Sequence, residues 1–132
     1  MYVGGLVGYN NYGNILNSYS TGNVTGEKGY VGGLVGQNSE GNILNSYSTG
    51  NVTGESYNVG GLVGETDGTV SNSYWDTEAT GQSSSAGLSD SNGLTTSQMQ
   101  GSSASSNMSG FDDFTDTWST VEGEYPELQW QE

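Results

Sequence analysis

Apolar residues recur at a fixed interval in a polar, glycine-rich background. VGGLVG stands at residues 3–8, 31–36 and 59–64, each copy 28 residues after the last. The first unit covers residues 3–30 and the second 31–58, with long identical stretches. The third starts at 59, is one residue shorter before its second apolar stretch, and diverges near 76. Substitutions between copies separate inner from outer positions. Val3, Val31 and Val59 do not change, nor do Val7, Val35 and Val63, and Ile15 and Ile43 become Val70. Leu16 and Leu44 become Ser71, and Tyr2 and Tyr30 become Asn58, so those positions tolerate water.

Period-2 alternation puts Val3, Gly5 and Val7 on one face. It places Ile15, Asn17 and Tyr19 on another, with Asn17, Asn45 and Asn72 stacked as a ladder. Each unit is expected to hold three short strands, near VGGLV, NILNSYS and GNVTG. Glycine-containing corners (GN, TG, YN) would supply positive φ between them. Helices are disfavoured, because glycine costs about 1 kcal/mol relative to alanine in a helix. A single unit cannot bury its apolar face, whereas stacked units share a continuous core. The expectation is all-β: a parallel β-solenoid, right-handed by the crossover rule, of about three 28-residue coils over residues 1–76.

Residues 77–132 break the repeat and are expected to form an irregular, aromatic-rich C-terminal cap. GQSSSAGLSDSNG and QGSSASSNMSG look like loops. LTTSQMQ (94–100) suits one helical turn capped by Thr95 or Thr96. TWSTV and ELQW suit two strands joined through EGEYP. Such a tail would plug the end of a solenoid. The pattern is already running at Val3, with no leader and no matching N-terminal cap. The first coil is therefore expected to meet upstream repeats of a longer protein or another copy of the chain.

Composition alters this picture little. A hydrophobic content of 30% with 23 glycines is compatible with disorder, but aromatic content of 11% held in strict register is not. One basic residue against 15 acidic ones gives a net charge of −14. That argues against nucleic-acid binding and against docking on anionic membranes. Cysteine and histidine are absent, which removes disulfides, thiolate metal sites and the commonest general base. No apolar run approaches the roughly 18 residues a membrane helix needs, so no membrane insertion is expected.

Candidate chemistry is sparse. Asp76 and Glu78, or Asp112, Asp113 and Asp116, are carboxylate groups able in principle to do acid–base work, but solvated turns explain them better. Calcium is the one plausible ion, with ETDG (65–68) and the DDFTD segment as partial oxygen-ligand matches, so no cofactor or metal site is assigned. Tyr9, Tyr12, Tyr30 and Tyr57 could stack on sugars, although tyrosines also pack on β-surfaces. Thr21, Thr25, Thr49 and Thr53 make rungs too few for an ice-binding face. Asn23, Asn51 and Asn107 head glycosylation sequons.

The units closely resemble the GLUG motif, through Gly5-Leu6-Val7-Gly8, Gly33-Leu34-Val35-Gly36 and Gly61-Leu62-Val63-Gly64 and the recurring NSYSTG. The tail, with SYWDTEATGQSSSAG and YPELQW, is similar to segments that end such arrays. The resemblance implies large secreted or surface-anchored microbial proteins, adhesin-like proteins among them, in which the repeats are stalk elements and not the catalytic part. It carries over no functional residue. The expected role is a structural or adhesive repeat segment outside the cell, not an enzyme. A self-assembling filament subunit and a glycan-binding module are the alternatives.

Overall fold

A computed structural model of the protein describes residues 1–111, 114 and 116–131. The chain winds through three coils. The first contains β1 (Tyr2–Gly4), β2 (Val7–Asn11), β3 (Asn14–Leu16), β4 (Tyr19–Ser20) and β5 (Val24–Gly26). The second repeats them as β6 (Tyr30–Gly32), β7 (Val35–Ser39), β8 (Asn42–Leu44), β9 (Tyr47–Ser48) and β10 (Val52–Gly54). The third has β11 (Val59–Gly60), β12 (Val63–Thr66), β13 (Thr69–Ser71) and β14 (Tyr74–Asp76). Each strand of the first coil, and β6 to β9 of the second, pairs in parallel with its own copy in the next coil: Val3 with Val31, Val31 with Val59, Ile15 with Ile43, Ile43 with Val70. This is a parallel β-solenoid.

The first two coils hold five strands each, where the sequence suggested three. Two of the expected strands are bent. VGGLV turns a corner at Gly5–Leu6, which sends Val3 and Val7 to different sides of the coil. Val3, Val24, Val31, Val52 and Val59 form one apolar cluster. Val7 and Val35 join Leu34, Ile43, Leu62, Val63 and Trp75 in another. NILNSYS bends at Asn17, whose φ of 48° is repeated by Asn45 (52°) and Asn72 (47°). Asparagine enters this left-handed region more readily than most residues, so the expected asparagine ladder is instead a column of corners.

The serine after each corner replaces that ladder. Ser46 Oγ donates to Leu44 O (3.0 Å) and accepts from Ser18 N (3.2 Å). Ser73 Oγ does the same with Ser71 O (2.9 Å) and Ser46 N (3.2 Å). An asparagine ladder exists elsewhere: Asn10 Nδ2 donates to Asn38 Oδ1 (2.7 Å), and Asn38 Nδ2 to Thr66 Oγ1 (3.1 Å). Both amides also donate to carbonyls three residues on, Gly13 O and Gly41 O. Identical polar side chains thus satisfy one another from coil to coil, which is what allows them to be buried.

Glycine is mostly needed for space, not for positive φ. Within the coils only Gly29 has φ in the left-handed region; the other such corners are Tyr12, Glu40 and the three asparagines. At Gly33 a Cβ would overlap the carbonyl oxygen of Gly61 in the next coil. At Gly61 it would fall within the Trp75 indole.

The tail contains α1 (Thr77–Thr80), β15 (Gly93–Leu94), α2 (Ser102–Asn107) and an antiparallel hairpin of β16 (Trp118–Val121) and β17 (Glu124–Leu128). The hairpin agrees with the sequence, except that its second strand starts at Glu124, after a turn through Gly123. QGSSASSNMSG was expected to be a loop, yet it includes α2. Ala104 and Met108, one helical turn apart and fully buried, hold that short helix in place. The expected turn over 94–100 is a 3-10 segment at Ser97–Met99. Thr95 caps it, accepting from Gln98 N (3.3 Å), while Gln98 Oε1 accepts from Thr95 N (2.9 Å).

The tail does two separate jobs. Residues 82–94 run across the outer edge of the third coil. The aromatic remainder lies along the side of the stack, against the ladder of Tyr19, Tyr47 and Tyr74. The aromatic plug expected at the end of the solenoid is therefore a buttress along its flank.

Candidate interaction surface

The two ends of the stack differ. At the far end, Gly61 N donates to Ser84 O and Ala86 N donates to Val63 O. Ser85 Oγ accepts from Leu62 N (3.2 Å) and Val63 N (2.8 Å). Gln82 Nε2 reaches Val52 O (2.8 Å), and β15 extends the sheet beyond β14. At the near end β1, β2, β3, β4 and β5 are each the outermost strand of their sheets. Asn42 N, Tyr47 N and Thr49 N donate from the second coil back to Gly13, Ser18 and Ser20 of the first. By the same register, the amides of Asn14, Tyr19 and Thr21 point outward.

Side chains repeat the contrast. Leu34 and Leu62 are 0% exposed, whereas Leu6 at the equivalent position is 50% exposed. Val31 and Val35 are fully buried, but Val3 and Val7 are partly exposed. Met1, Tyr2 and Leu16 of the first coil are exposed as well. The near end combines exposed apolar side chains with an open strand edge.

The candidate sugar-stacking tyrosines do not form one surface. Tyr2 stacks on Tyr9 (centroids 5.0 Å apart) and on Tyr30 (5.7 Å), giving a partly exposed three-ring group. Tyr12 is apart and donates to Glu40 Oε1 (2.9 Å), which raises its pKa. Tyr57 projects alone into solvent. Of the threonines, Thr25 and Thr53 pair directly, their hydroxyls 3.1 Å apart.

Asp76 is fully buried and its oxygens are occupied. Oδ1 accepts from Glu78 N and Ala79 N (both 2.9 Å), capping α1. Oδ2 accepts from Thr96 Oγ1 and Tyr125 Oη (both 2.6 Å). Glu78 Oε1 accepts from Thr96 N (2.9 Å). The pair ties the third coil to the tail, with Asp76 buried and Glu78 exposed. Burial first, and then the bond to Asp76, push the Tyr125 phenol up to about 12. Tyr47, buried in the ladder and donating to Pro126 O, is shifted in the same direction.

Glu65 and Asp67 of the ETDG segment accept from Gln37 Nε2 (2.8 Å) and Glu40 N (2.8 Å). In the second carboxylate candidate, Asp112 and Asp113 lie outside the described residues, and Asp116 is exposed. Among the described residues no three acidic side chains converge on one point. Asn23 and Asn51 are exposed, while the Asn107 amide donates to Ser103 O (2.9 Å). No helix among the described residues is long and apolar enough to cross a membrane.

Sequence reasoning did not find the side chains that make the first coil distinctive. Leu6 and Leu34 sit in identical hexapeptides, so nothing local marks one as exposed. Trp130 was one of several tail aromatics, and its position beside the first coil has no sequence signal.

Comparisons with known proteins agree with the repeat geometry. Residues 1–25 and 29–53 match the GLUG motif. Halomucin of Haloquadratum walsbyi (strain DSM 16790 / HBSQ001) is 48% identical over 63 residues, covering 48% of this chain and 1% of that protein. The chain thus spans a very small part of the relative it matches. No solved structure matches. The stacked coils and their 28-residue register fit the similarity of residues 1–25 and 29–53 to the GLUG motif.

Proposed function

We propose that this chain is a structural repeat segment of an extracellular or cell-surface protein, without catalytic activity, whose open first coil receives a further coil. The contrast at one repeat position carries the reading: Leu6 is 50% exposed where Leu34 and Leu62 are 0%. Burying such a side chain contributes roughly 1.5–3 kcal/mol, so an added coil has an immediate energetic return. The likeness to a short stretch of a far longer archaeal protein supports a role as one piece of an extended array. The engaged carboxylates of Asp76, Glu78, Glu65 and Asp67 support a non-catalytic role.

A head-to-tail filament would need an open face at each end, and residues 82–94 cover the far one. The reading is therefore growth from the first coil only. Placing one more copy of residues 3–30 directly before Val3, where its Gly29 and Tyr30 take the places of Met1 and Tyr2 and keep the register, tests this by hydrogen exchange. The amides of Asn14, Tyr19 and Thr21 should exchange freely in the 132-residue chain and become protected in the extended one. Unchanged exchange would sink the reading. The stacked rings of Tyr9, Tyr2 and Tyr30 favour a second reading, a sugar-binding surface. Carbohydrate retention by the intact chain, lost in Tyr9→Ala with stability unchanged, would establish it.

A further inference from the structure

The tail meets the tyrosine ladder in steps. Phe111 bridges the third and second coils, with its ring 5.6 Å from Tyr74 and 6.3 Å from Tyr47. Trp118 bridges the second and first, 5.6 Å from Tyr47 and 6.1 Å from Tyr19. Both bridging rings are buried, because each has a tyrosine on either side of the step it spans. Trp130 lies beside the first coil. It borders a recess of about 400 Å3 with Leu6, Tyr19 and Leu128, at the open face of the first coil. Its neighbour Gln131 is fixed to Tyr19, donating from Nε2 to the phenol oxygen (2.7 Å) and accepting from it at Oε1 (3.0 Å). Yet Trp130 is 79% exposed.

We infer that Trp130 is the third bridging aromatic of this series, positioned to pack on the ladder tyrosine of one further coil. The inference rests on the reading that the first coil receives such a coil. The expected occupant is a 28-residue unit of the NSYS type, because its register would place a tyrosine one step, about 4.8 Å, outward from Tyr19. The coil-to-coil interface already present twice then continues a third time, and the tail clasps it from the side. A coil with a small polar residue at that position would leave Trp130 in water. The C-terminal segment thus acts as a selector for what stacks on the solenoid, at the opposite end from the one its neighbouring residues close.

Tryptophan quenching tests this directly, since Trp75 and Trp118 are 0% and 1% exposed and acrylamide reports almost entirely on Trp130. The full chain is extended by a copy of residues 3–30 joined directly to Val3 in place of Met1 and Tyr2, and by the same copy with serine replacing its ladder tyrosine. Hydrogen exchange at Asn14, Tyr19 and Thr21 is read in parallel. The expected result is protection of those amides, blue-shifted emission and loss of most quenching in the tyrosine-bearing extension, with quenching retained in the serine version. Protected amides with Trp130 still fully quenchable would overturn the clasp while leaving coil stacking intact. Unprotected amides would overturn the stacking reading and the clasp with it. If the serine-bearing coil does not fold, Trp130→Ala in the tyrosine-bearing extension decides. Faster exchange in the added coil, with an unchanged melting temperature for unextended Trp130→Ala, supports the clasp; unchanged exchange overturns it.

Discussion

The near and far ends of the solenoid are built from the same repeat and meet water differently. At the near end the outermost coil is an unmodified repeat unit, with Leu6 half exposed and the strands β1 to β5 as edges. At the far end the repeat has been altered to close itself. Ser20 and Ser48 face glycines in the first two coils, and the corresponding residue of the third is Trp75, which lies over Gly61. Its indole fills the last layer of the core and donates to Gln82 O (2.8 Å), while Ser84, Ser85 and Ala86 occupy the outward hydrogen bonds. A solenoid end is thus closed by departing from the repeat. A repeat coil left unaltered remains able to accept another.

Removing the far closure should have the largest effect. Trp75→Ala deletes a fully buried indole from the core and exposes the third coil, at a cost of about 3–5 kcal/mol. Urea denaturation followed by circular dichroism would measure it; a loss below about 1 kcal/mol would mean that the last coil does not depend on Trp75 for closure.

The next test uses one residue type in one hexapeptide at two depths. Leu34→Ala should cost about 2–5 kcal/mol, and Leu6→Ala no more than about 1 kcal/mol. In the chain extended by one coil the two values should converge, because Leu6 then has a covering layer. Equal costs in the unextended chain would remove the distinction between the two ends.

This pair also shows how far the sequence leads. A strict interval between identical apolar positions leaves little choice but stacked coils in register, so the fold was legible. The corners were not. NILNSYS has strand composition throughout, and only the backbone at Asn17 shows that it bends there. Nor can identical hexapeptides reveal which of them lies outermost, since burial at Leu6 or Leu34 depends on a neighbour about 28 residues away. The tail was legible where alternation and a glycine turn mark a hairpin. It was opaque over residues 102–107, where serine-rich sequence becomes helical only because Ala104 and Met108 find an apolar surface.

A smaller effect is expected at Ser85. Its hydroxyl accepts from two buried amides, those of Leu62 and Val63, in the role that Leu34 O plays for Leu6 and Val7 and Leu62 O for Leu34 and Val35. Ser85→Ala leaves both amides without that acceptor and should cost about 1–3 kcal/mol. Ser85→Thr, which keeps the hydroxyl, should recover part of the loss. If alanine and threonine behave alike in thermal melts, the closure rests on packing and not on these bonds.

The smallest effect separates the flank from both ends. Tyr125 is driven up to about 12 by burial and by its bond to the Asp76 carboxylate, so the folded state favours the neutral phenol. A phenol whose folded value lies above its unfolded value of 10.0 contributes stability that is fully present below pH 10. That contribution is lost as the pH rises through about 12. Part of Tyr125 is open to solvent, which screens the interaction and keeps the contribution modest. Alkaline titration should therefore loosen the tail from the ladder before the coils separate. The near-ultraviolet signal of Trp118 and the tyrosine ladder should fall at lower pH than the far-ultraviolet β signal. Tyr125→Phe, which has no proton to lose, should bring the two transitions closer together. Coincident transitions in the unmodified protein would instead mean that the flank and the coils unfold as one unit, and that the tail is as much a part of the solenoid as its third coil.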